Sequence, residues 1–385
     1  MPARRPYRRR YPQPFAPGIP SPRAPAPRRG TMMQQPTPFP VRPAGGGIAV
    51  LAAAMLIFLP LTGLAQEPAN LDIYWIDVEG GAATLVVTPA RESVLMDTGW
   101  PRADARDALR IQAAMNDAGI DRIDYLLFSH FHTDHVGGLA ALAERVPIGQ
   151  MVDHGDSVEL GSARGQALWD EYIGFAAERR RSVAPGDKLP LERLELTFVA
   201  SHRELVDSLE PQMPNSLCEG VAPPAPDMGE NGHSLGYLLS LGAFQFLNLG
   251  DLTPDREHAL ACPENRLGVV DLWQVPHHGG YGAIRPELAA VLRPTVAVVN
   301  NGPRKGGTPE SLAVVQGTAE VGDVWQSHRT LTDDAANNTD EALIANLTEE
   351  DDCEGHWIKA TVAPDGRSWS MTNGRTGYSR TYQSR

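Results

Sequence analysis

Between Ser129 and Gly138 the chain reads Ser-His-Phe-His-Thr-Asp-His-Val-Gly-Gly, so His130, His132, Asp134 and His135 offer four potential metal ligands within six residues. They follow the apolar run Tyr125-Leu126-Leu127-Phe128, which reads as a buried strand. The ligands therefore stand at a strand's end. His130 and His132 are two apart, so in an extended backbone both rings leave on one side and can converge on one ion. Asp134 and His135 follow where the chain must turn, and can face a second ion. Gly137 and Gly138 remove side-chain bulk where the chain enters the apolar-periodic segment 139–143. Imidazole and carboxylate together suit zinc, with manganese or iron as alternatives.

This stretch resembles the HxHxDH signature of the metallo-β-lactamase superfamily, and the resemblance extends over roughly residues 71 to 300. The family places an Asp upstream at a strand's end, a bridging Asp downstream and a last His beyond. Here Val94-Leu95-Met96-Asp97-Thr98-Gly99, Phe246-Leu247-Asn248-Leu249-Gly250-Asp251 and Leu272-Trp273-Gln274-Val275-Pro276-His277-His278-Gly279 occur in that order. The resemblance implies an α/β fold, the αββα sandwich with two mixed β-sheets and flanking helices. It also implies that Asp97 orients the site through hydrogen bonds and that Asp251 bridges two cations. Either ring of the His277-His278 pair fits the family's pattern; alignment with the choline-phosphate esterase branch favours His278 and leaves His277 supporting it or facing substrate. His130 and His132 would then hold one ion, Asp134, His135 and His278 the other, with Asp134 also placed to receive a proton.

The segment Ile76-Asp77-Val78-Glu79-Gly80-Gly81-Ala82-Ala83 resembles the DVGQGDA stretch that opens the hydrolase domain of bacterial DNA-uptake competence proteins, and departs from it at Glu79 and Ala82. Many members of the superfamily carry another His ligand between the HxHxDH motif and the bridging Asp. The candidates are His154, His202 and His233. His154 comes first, because the strand Ile148-Gly149-Gln150-Met151-Val152 ends just before it and, if parallel to its predecessor, ends on the ligand edge. Further on, the strand 295–299 runs into a glycine-rich loop whose Arg304 and Lys305 are candidate clamps for an anionic substrate group. As residues of an ordinary solvated loop they would need no function.

The chain's ends read differently. Residues 1–47 are rich in Pro and Arg and contain no acidic residue, the composition of a disordered preamble. The apolar run 48–61 is short for a spanning helix and is followed by Gly63 and Ala65, small residues suited to a signal-peptidase cut. Residues 48–65 thus read as a signal peptide directing the protein to the periplasm or outside, with an uncleaved anchor as the other reading. Met32 or Met33 would give a more ordinary start. Without residues 1–65, which hold nine basic residues, the balance is 34 − 9 = 25 basic against 47 acidic residues, a net charge of −22. Such acidity argues against tight nucleic-acid binding. The hydrolase domain should run from 70 to 330, followed by a C-terminal appendage, 331–385, with a hairpin closed by Asp365-Gly366.

Three cysteines in an oxidising compartment leave one disulfide and one thiol. Cys218 and Cys262 flank one hairpin and are the favoured pair, leaving Cys353. None lies in a CxxC spacing, which argues against sulfur as a metal ligand. The expectation is a secreted zinc-dependent hydrolase with two ions, using a metal-bridging hydroxide on a phosphodiester or phosphoester. A lactam, lactone or thioester is the alternative substrate, since the same nucleophile attacks carbonyls. An iron-dependent oxidoreductase is disfavoured because His132 stands where di-iron members generally carry a carboxylate. A non-catalytic binding protein should show gaps in the ligand set, and the principal positions are filled. The expected partner is a small-molecule or ester substrate, with no stable nucleic-acid complex and no membrane contact after signal cleavage.

Overall fold

Short runs of β-branched and aromatic residues separated by glycine turns give way to helices wherever the apolar spacing lengthens, and the chain folds accordingly. The computed structural model describes residues 69–209, 213–332, 336–349 and 353–385. The preamble and signal peptide expected over 1–65, with their alternative starts, lie outside the described residues. The first half contains β1 (Leu71–Trp75), β2 (Thr84–Val87), β3 (Ser93–Met96), α1 (Arg106–Ala118), β4 (Ile123–Leu127) and α2 (Thr133–Val136). Then come α3 (Leu139–Ala143), β5 (Ile148–Asp153), α4 (Ala163–Ala176), β6 (Arg180–Ser182), β7 (Glu195–Ser201), β8 (Glu204–Leu205) and β9 (Met213–Pro214).

The second half adds β10 (Gly236–Leu241), β11 (Phe244–Asn248), α5 (Pro254–Ala261), β12 (Glu264–Asn265), β13 (Leu272–Gln274) and α6 (Pro286–Leu292). It ends with β14 (Val296–Val299), α7 (Pro309–Gly317), β15 (Asp323–His328), β16 (Ile344–Asn346), β17 (Ile358–Val362), β18 (Ser368–Asn373) and β19 (Ser379–Gln383). Helix α1 starts at Arg106, just after Ala105, which sits in the left-handed region at φ 57°.

Among the described residues one sheet has the order β19-β18-β17-β1-β2-β3-β4-β5-β6 and the other β16-β15-β14-β13-β11-β10-β7-β8. Leu71, Ile73 and Trp75 from the first sheet pack with Phe198, Tyr237, Phe246 and Trp325 from the second, filling the space between them. The outer face of the first sheet buries Leu85, Leu95 and Leu126 under Ile111, Leu139 and Tyr172 of α1, α3 and α4. The outer face of the second buries Leu247, Trp273 and Ala297 under Leu260, Leu288 and Leu312 of α5, α6 and α7. The result is the αββα sandwich. The described strands of the C-terminal part extend both sheets rather than standing apart: β16 pairs with β15, and the β17–β18 hairpin joins β1.

Strands β3, β4, β5 and β6 run parallel, as do β11, β13, β14, β15 and β16. The loops leaving β4, β11, β13 and β14 carry the HxHxDH motif, Asp251, His277-His278 and Asn300, so the ligand candidates leave carboxyl ends of strands in both sheets. Gln274, at the end of β13, ties the sheets together. Its side-chain oxygen accepts from Trp75 Nε1 at 2.9 Å, Thr84 Oγ1 at 2.9 Å and Asn248 Nδ2 at 3.0 Å.

Glu257 in α5 is fully buried, and burial pushes its carboxyl up to about 8 against the opposing pull of the Arg285 backbone N–H. As pH rises from the ordinary carboxyl range towards that value, the unfolded chain ionises while the folded chain keeps its proton, so stability falls. Urea unfolding of wild type and Glu257→Gln should show the wild type losing on the order of a few kcal/mol relative to the variant between about pH 5 and about pH 8. A difference independent of pH would contradict this assignment.

Candidate metal centre

The metal motif leaves β4 with Ser129 and His130 fully buried. Asp97, at the end of β3, accepts from the Ser129 N–H at 2.8 Å and the Ser129 hydroxyl at 2.7 Å, and its Oδ2 lies 2.8 Å from His135 Nδ1. His278 Nδ1 lies 3.3 Å from the Asn300 carbonyl oxygen. In both histidines the Nδ1 side is thereby engaged and Nε2 is turned towards the cluster, the arrangement that orients a ligating imidazole. The backbone also holds unusual conformations here, with φ of 67° at Asp97, 50° at His277 and 54° at His278. A side chain at Gly81 would place its Cβ 2.5 Å from the Asp134 carbonyl oxygen, which the Ala82 N–H approaches at 3.1 Å. The Glu79-Gly80-Gly81 turn is therefore a fitted backing for the metal loop.

Asp134, His135, Asp251 and His278 converge, each contributing one donor atom within 4.8 Å of the others. Asp134 Oδ2 is 3.2 Å from His135 Nε2 and 3.4 Å from His278 Nε2. Asp251 Oδ2 is 3.3 Å from His135 Nε2 and 3.4 Å from His278 Nε2, and 4.0 Å from His130 Nε2. His130 Nε2 and His132 Nδ1 face each other at 3.0 Å. Asp251 Oδ2 thus faces His135 and His278 closely and His130 at longer range.

Burial alone would raise the carboxyls of Asp134 and Asp251, but the histidines around them outweigh it and hold both below the ordinary range; Lys305 adds to this at Asp134. Burial alone would lower His135, and Asp251, Asp134 and Asp97 outweigh it, holding its imidazole well above the ordinary value. His130, more dominated by burial and by neighbouring His135, is pushed well below. Buried Nε2 atoms of His135 and His278 have no hydrogen-bond partner. Two orphaned imidazole nitrogens facing two buried carboxylates are a donor set that fits divalent cations, which would take the place of protons there.

Other candidates are placed differently. His277 lies at the margin, its Nε2 3.8 Å from Asp251 Oδ2 and 3.2 Å from Asn231 Nδ2. Lys305 reaches in and contacts Asp134 Oδ2, its ammonium 5.1 Å over the Trp100 ring. Arg304, the neighbour with which it was paired as a clamp, turns away to Glu349 at 2.7 Å with its side chain 65% exposed. His154 is not brought to the metal cluster either. β5 is parallel to β4 as expected, but His154 Nε2 lies 3.2 Å from Glu230, and its ring joins those of His202 and His233 in a separate group. Ending on the right edge fixed the position of the residue and not the direction of its side chain.

Sequence reasoning missed Glu230, whose carboxylate accepts from the Phe131 N–H at 3.1 Å, the Val158 N–H at 2.7 Å and the Ser157 hydroxyl. Burial opposes its ionisation, but His154, Ser157 and Phe131 win and hold it at about 2. It pins the metal loop between His130 and His132. The Glu-Asn-Gly-His-Ser run that contains it was the available signal. Glu159, also missed, lies 3.4 Å from His132 Nε2 and lines a pocket of about 190 Å³ with His132, Asp134, Arg164 and Leu168. A larger cavity, about 520 Å³ and lined by residues such as Leu238, Gln245 and Val270, contains none of the motif residues.

An αββα sandwich with a buried histidine–carboxylate cluster at its strand ends is a scaffold for metal chemistry, and comparison with known proteins gives its class. The family model described as Metallo-beta-lactamase superfamily matches residues 76–205. A UPF0173 metal-dependent hydrolase of Anaeromyxobacter dehalogenans is 30% identical over 257 residues, covering 63% of this chain and 81% of that protein. Recombination protein 2 of Haemophilus influenzae is 25% identical over 258 residues, 66% of this chain; the match spans only 27% of that longer protein. Among solved structures, the metallo-beta-lactamase fold protein YhfI from Bacillus subtilis aligns with a TM-score of 0.43 and 10% identity, over 75% of this chain and 99% of that one. The chain belongs to the metallo-beta-lactamase superfamily and is a metal-dependent hydrolase of it.

Because Asp97 holds His135 and Ser129 together, Asp97→Asn should weaken metal binding by about 10–100-fold, read by competition with a chromogenic chelator. Unchanged affinity would remove Asp97 from the support of the site.

Proposed function

We propose that this chain is an exported zinc phosphodiesterase or phosphoesterase. His130 and His132 would hold one ion, Asp134, His135 and His278 the other, with Asp251 between them. Bound divalent ions supply Lewis acidity, lowering the pKa of water towards neutrality and stabilising charge on the attacked and leaving oxygens. Lys305 carries the substrate assignment: its ammonium contacts Asp134 at the cluster, stacked over Trp100, where it can meet an anionic substrate oxygen. His277, paired with Asn231 at 3.2 Å and lying 3.8 Å from Asp251, can hydrogen-bond a phosphoryl oxygen or leaving group. Asp134, kept ionised, can accept the proton released as water attacks.

Export is supported by the Cys218–Cys262 disulfide, the pair favoured from the sequence, and by the apolar run at 48–61. Zinc is supported by the imidazole-rich donor set.

Purified full-length protein should hydrolyse bis-(p-nitrophenyl) phosphate, lose that activity to a chelator and regain it with zinc. His132→Ala and Asp251→Ala should be inactive. Lys305→Ala should raise KM by roughly tenfold, the loss of one modest charge contact, while Arg304→Ala leaves it unchanged. Turnover of a chromogenic cephalosporin in preference to the phosphodiester would move the substrate to the carbonyl class, and equal effects of the two loop variants would overturn the role given to Lys305.

A further inference from the structure

Asp77, His328 and Cys353 form a second group of potential ligands, one donor atom from each lying within 4.8 Å of the others. We propose that they bind a divalent cation through sulfur, nitrogen and oxygen, at a site separate from the HxHxDH cluster and best suited to zinc. The residues come from three parts of the chain. Asp77 follows β1, His328 ends β15, and Cys353 precedes β17, which pairs with β1. The pairing of the C-terminal strands brings the sulfur to the other two ligands, with no local CxxC spacing.

Two of the three donors are buried and unsatisfied. Asp77 and His328 are each 1% exposed, and Asp77 Oδ2 and His328 Nε2 have no hydrogen-bond partner. An uncompensated polar atom in the interior costs about 1–3 kcal/mol, so two facing one small space call for an occupant. The other atom of each group is engaged. Asp77 Oδ1 accepts the Glu79 N–H at 2.9 Å, while His328 Nδ1 lies 3.0 Å from the Arg329 carbonyl oxygen. A carbonyl can only accept, so Nδ1 carries the proton and Nε2 presents its lone pair, the tautomer a metal needs. The same bond argues against a Cys-His-Asp nucleophile, in which the carboxylate would hold the far ring nitrogen.

Arg106 stands nearby but is held by Glu79, Asp107 and the Val78 carbonyl, and Arg110, the nearer cation, is also engaged. Its guanidinium donates to the Asp77 carbonyl at 3.0 Å, to Glu79 at 3.2 Å and to the Cys353 carbonyl, and stays 3.6 Å from Asp77 Oδ2, beyond hydrogen-bond reach. Burial pushes both the Asp77 carboxyl and the Cys353 thiol up, so their charged forms call for a cation beside them. Binding a dication through them releases to solvent whatever proton each side chain still holds, giving a thiolate and a carboxylate. Cys353 is only half-buried, which leaves a way in and a fourth position for water. The site would also brace the metal centre, because the turn after Asp77 packs on Lys305 and Gly302: a Cβ at Gly80 would lie 2.8 Å from Lys305 Cβ.

The proposal is tested with the full-length oxidised protein, cobalt(II) being the probe. No sulfur lies among the HxHxDH ligands and the disulfide sulfurs do not coordinate as thiolates, so a thiolate-to-cobalt charge-transfer band reports this site alone, whatever the chemistry of the other. Wild type should show the band and bind one more cobalt per chain than Cys353→Ser, which should lack it. Zinc should slow alkylation of Cys353 by iodoacetamide at least about tenfold, as expected of a metal-held thiolate. His328→Gln should abolish the protection. Absence of the band, equal cobalt content in wild type and Cys353→Ser, alkylation indifferent to zinc, or a Cys353 engaged in an intermolecular disulfide would each overturn the proposal.

Discussion

Two carboxylates buried beside one another, Asp134 and Asp251, are the constraint on which the rest of this structure turns. Like charges in a low-dielectric space repel, and each alone would neutralise itself by taking up a proton. Here both converge on the Nε2 atoms of His135 and His278, so the cluster is stable only with positive charge at its centre. Protons on the imidazoles can supply that charge, and divalent cations can supply more of it. The parallel strands bring these side chains to one rim, and Gln274 keeps the two sheets in register so that ligands from both meet.

Around that centre the supporting groups act by fixing direction. Asp97 turns His135, the Asn300 carbonyl turns His278, and Glu230 holds the backbone between His130 and His132. The Glu79-Gly80-Gly81 turn presses on the metal loop from behind, where only glycine fits. Rigid backing of this kind matters because a ligand displaced by a fraction of an ångström loses much of its metal affinity.

The sandwich and the residues that cluster at its rim were legible because each depends on local pattern. His130, His132, Asp134 and His135 fall within six residues, and Asp97, Asp251 and His278 each follow an apolar strand run. Side-chain direction was not legible. Arg304 and Lys305 are neighbours in one loop, yet one meets Glu349 at the surface and the other meets Asp134. His154 stands at the expected edge and turns to Glu230, whose carboxylate also accepts from Phe131, Ser157 and Val158. Asp77, His328 and Cys353 lacked any spacing signal, since only the pairing of β17 with β1 brings them together. Local chemistry is written in the sequence, while contacts made by sheet pairing emerge only with the fold.

The central claim is that the histidine–carboxylate cluster is a divalent metal centre, and anomalous diffraction from crystals grown with zinc tests it most directly. The account predicts anomalous density among His130, His132, Asp134, His135, Asp251 and His278, with Asp251 touching both ions. Density at none of these side chains, with His135 bonded directly to Asp134 and Asp251 at full zinc occupancy elsewhere, would contradict it.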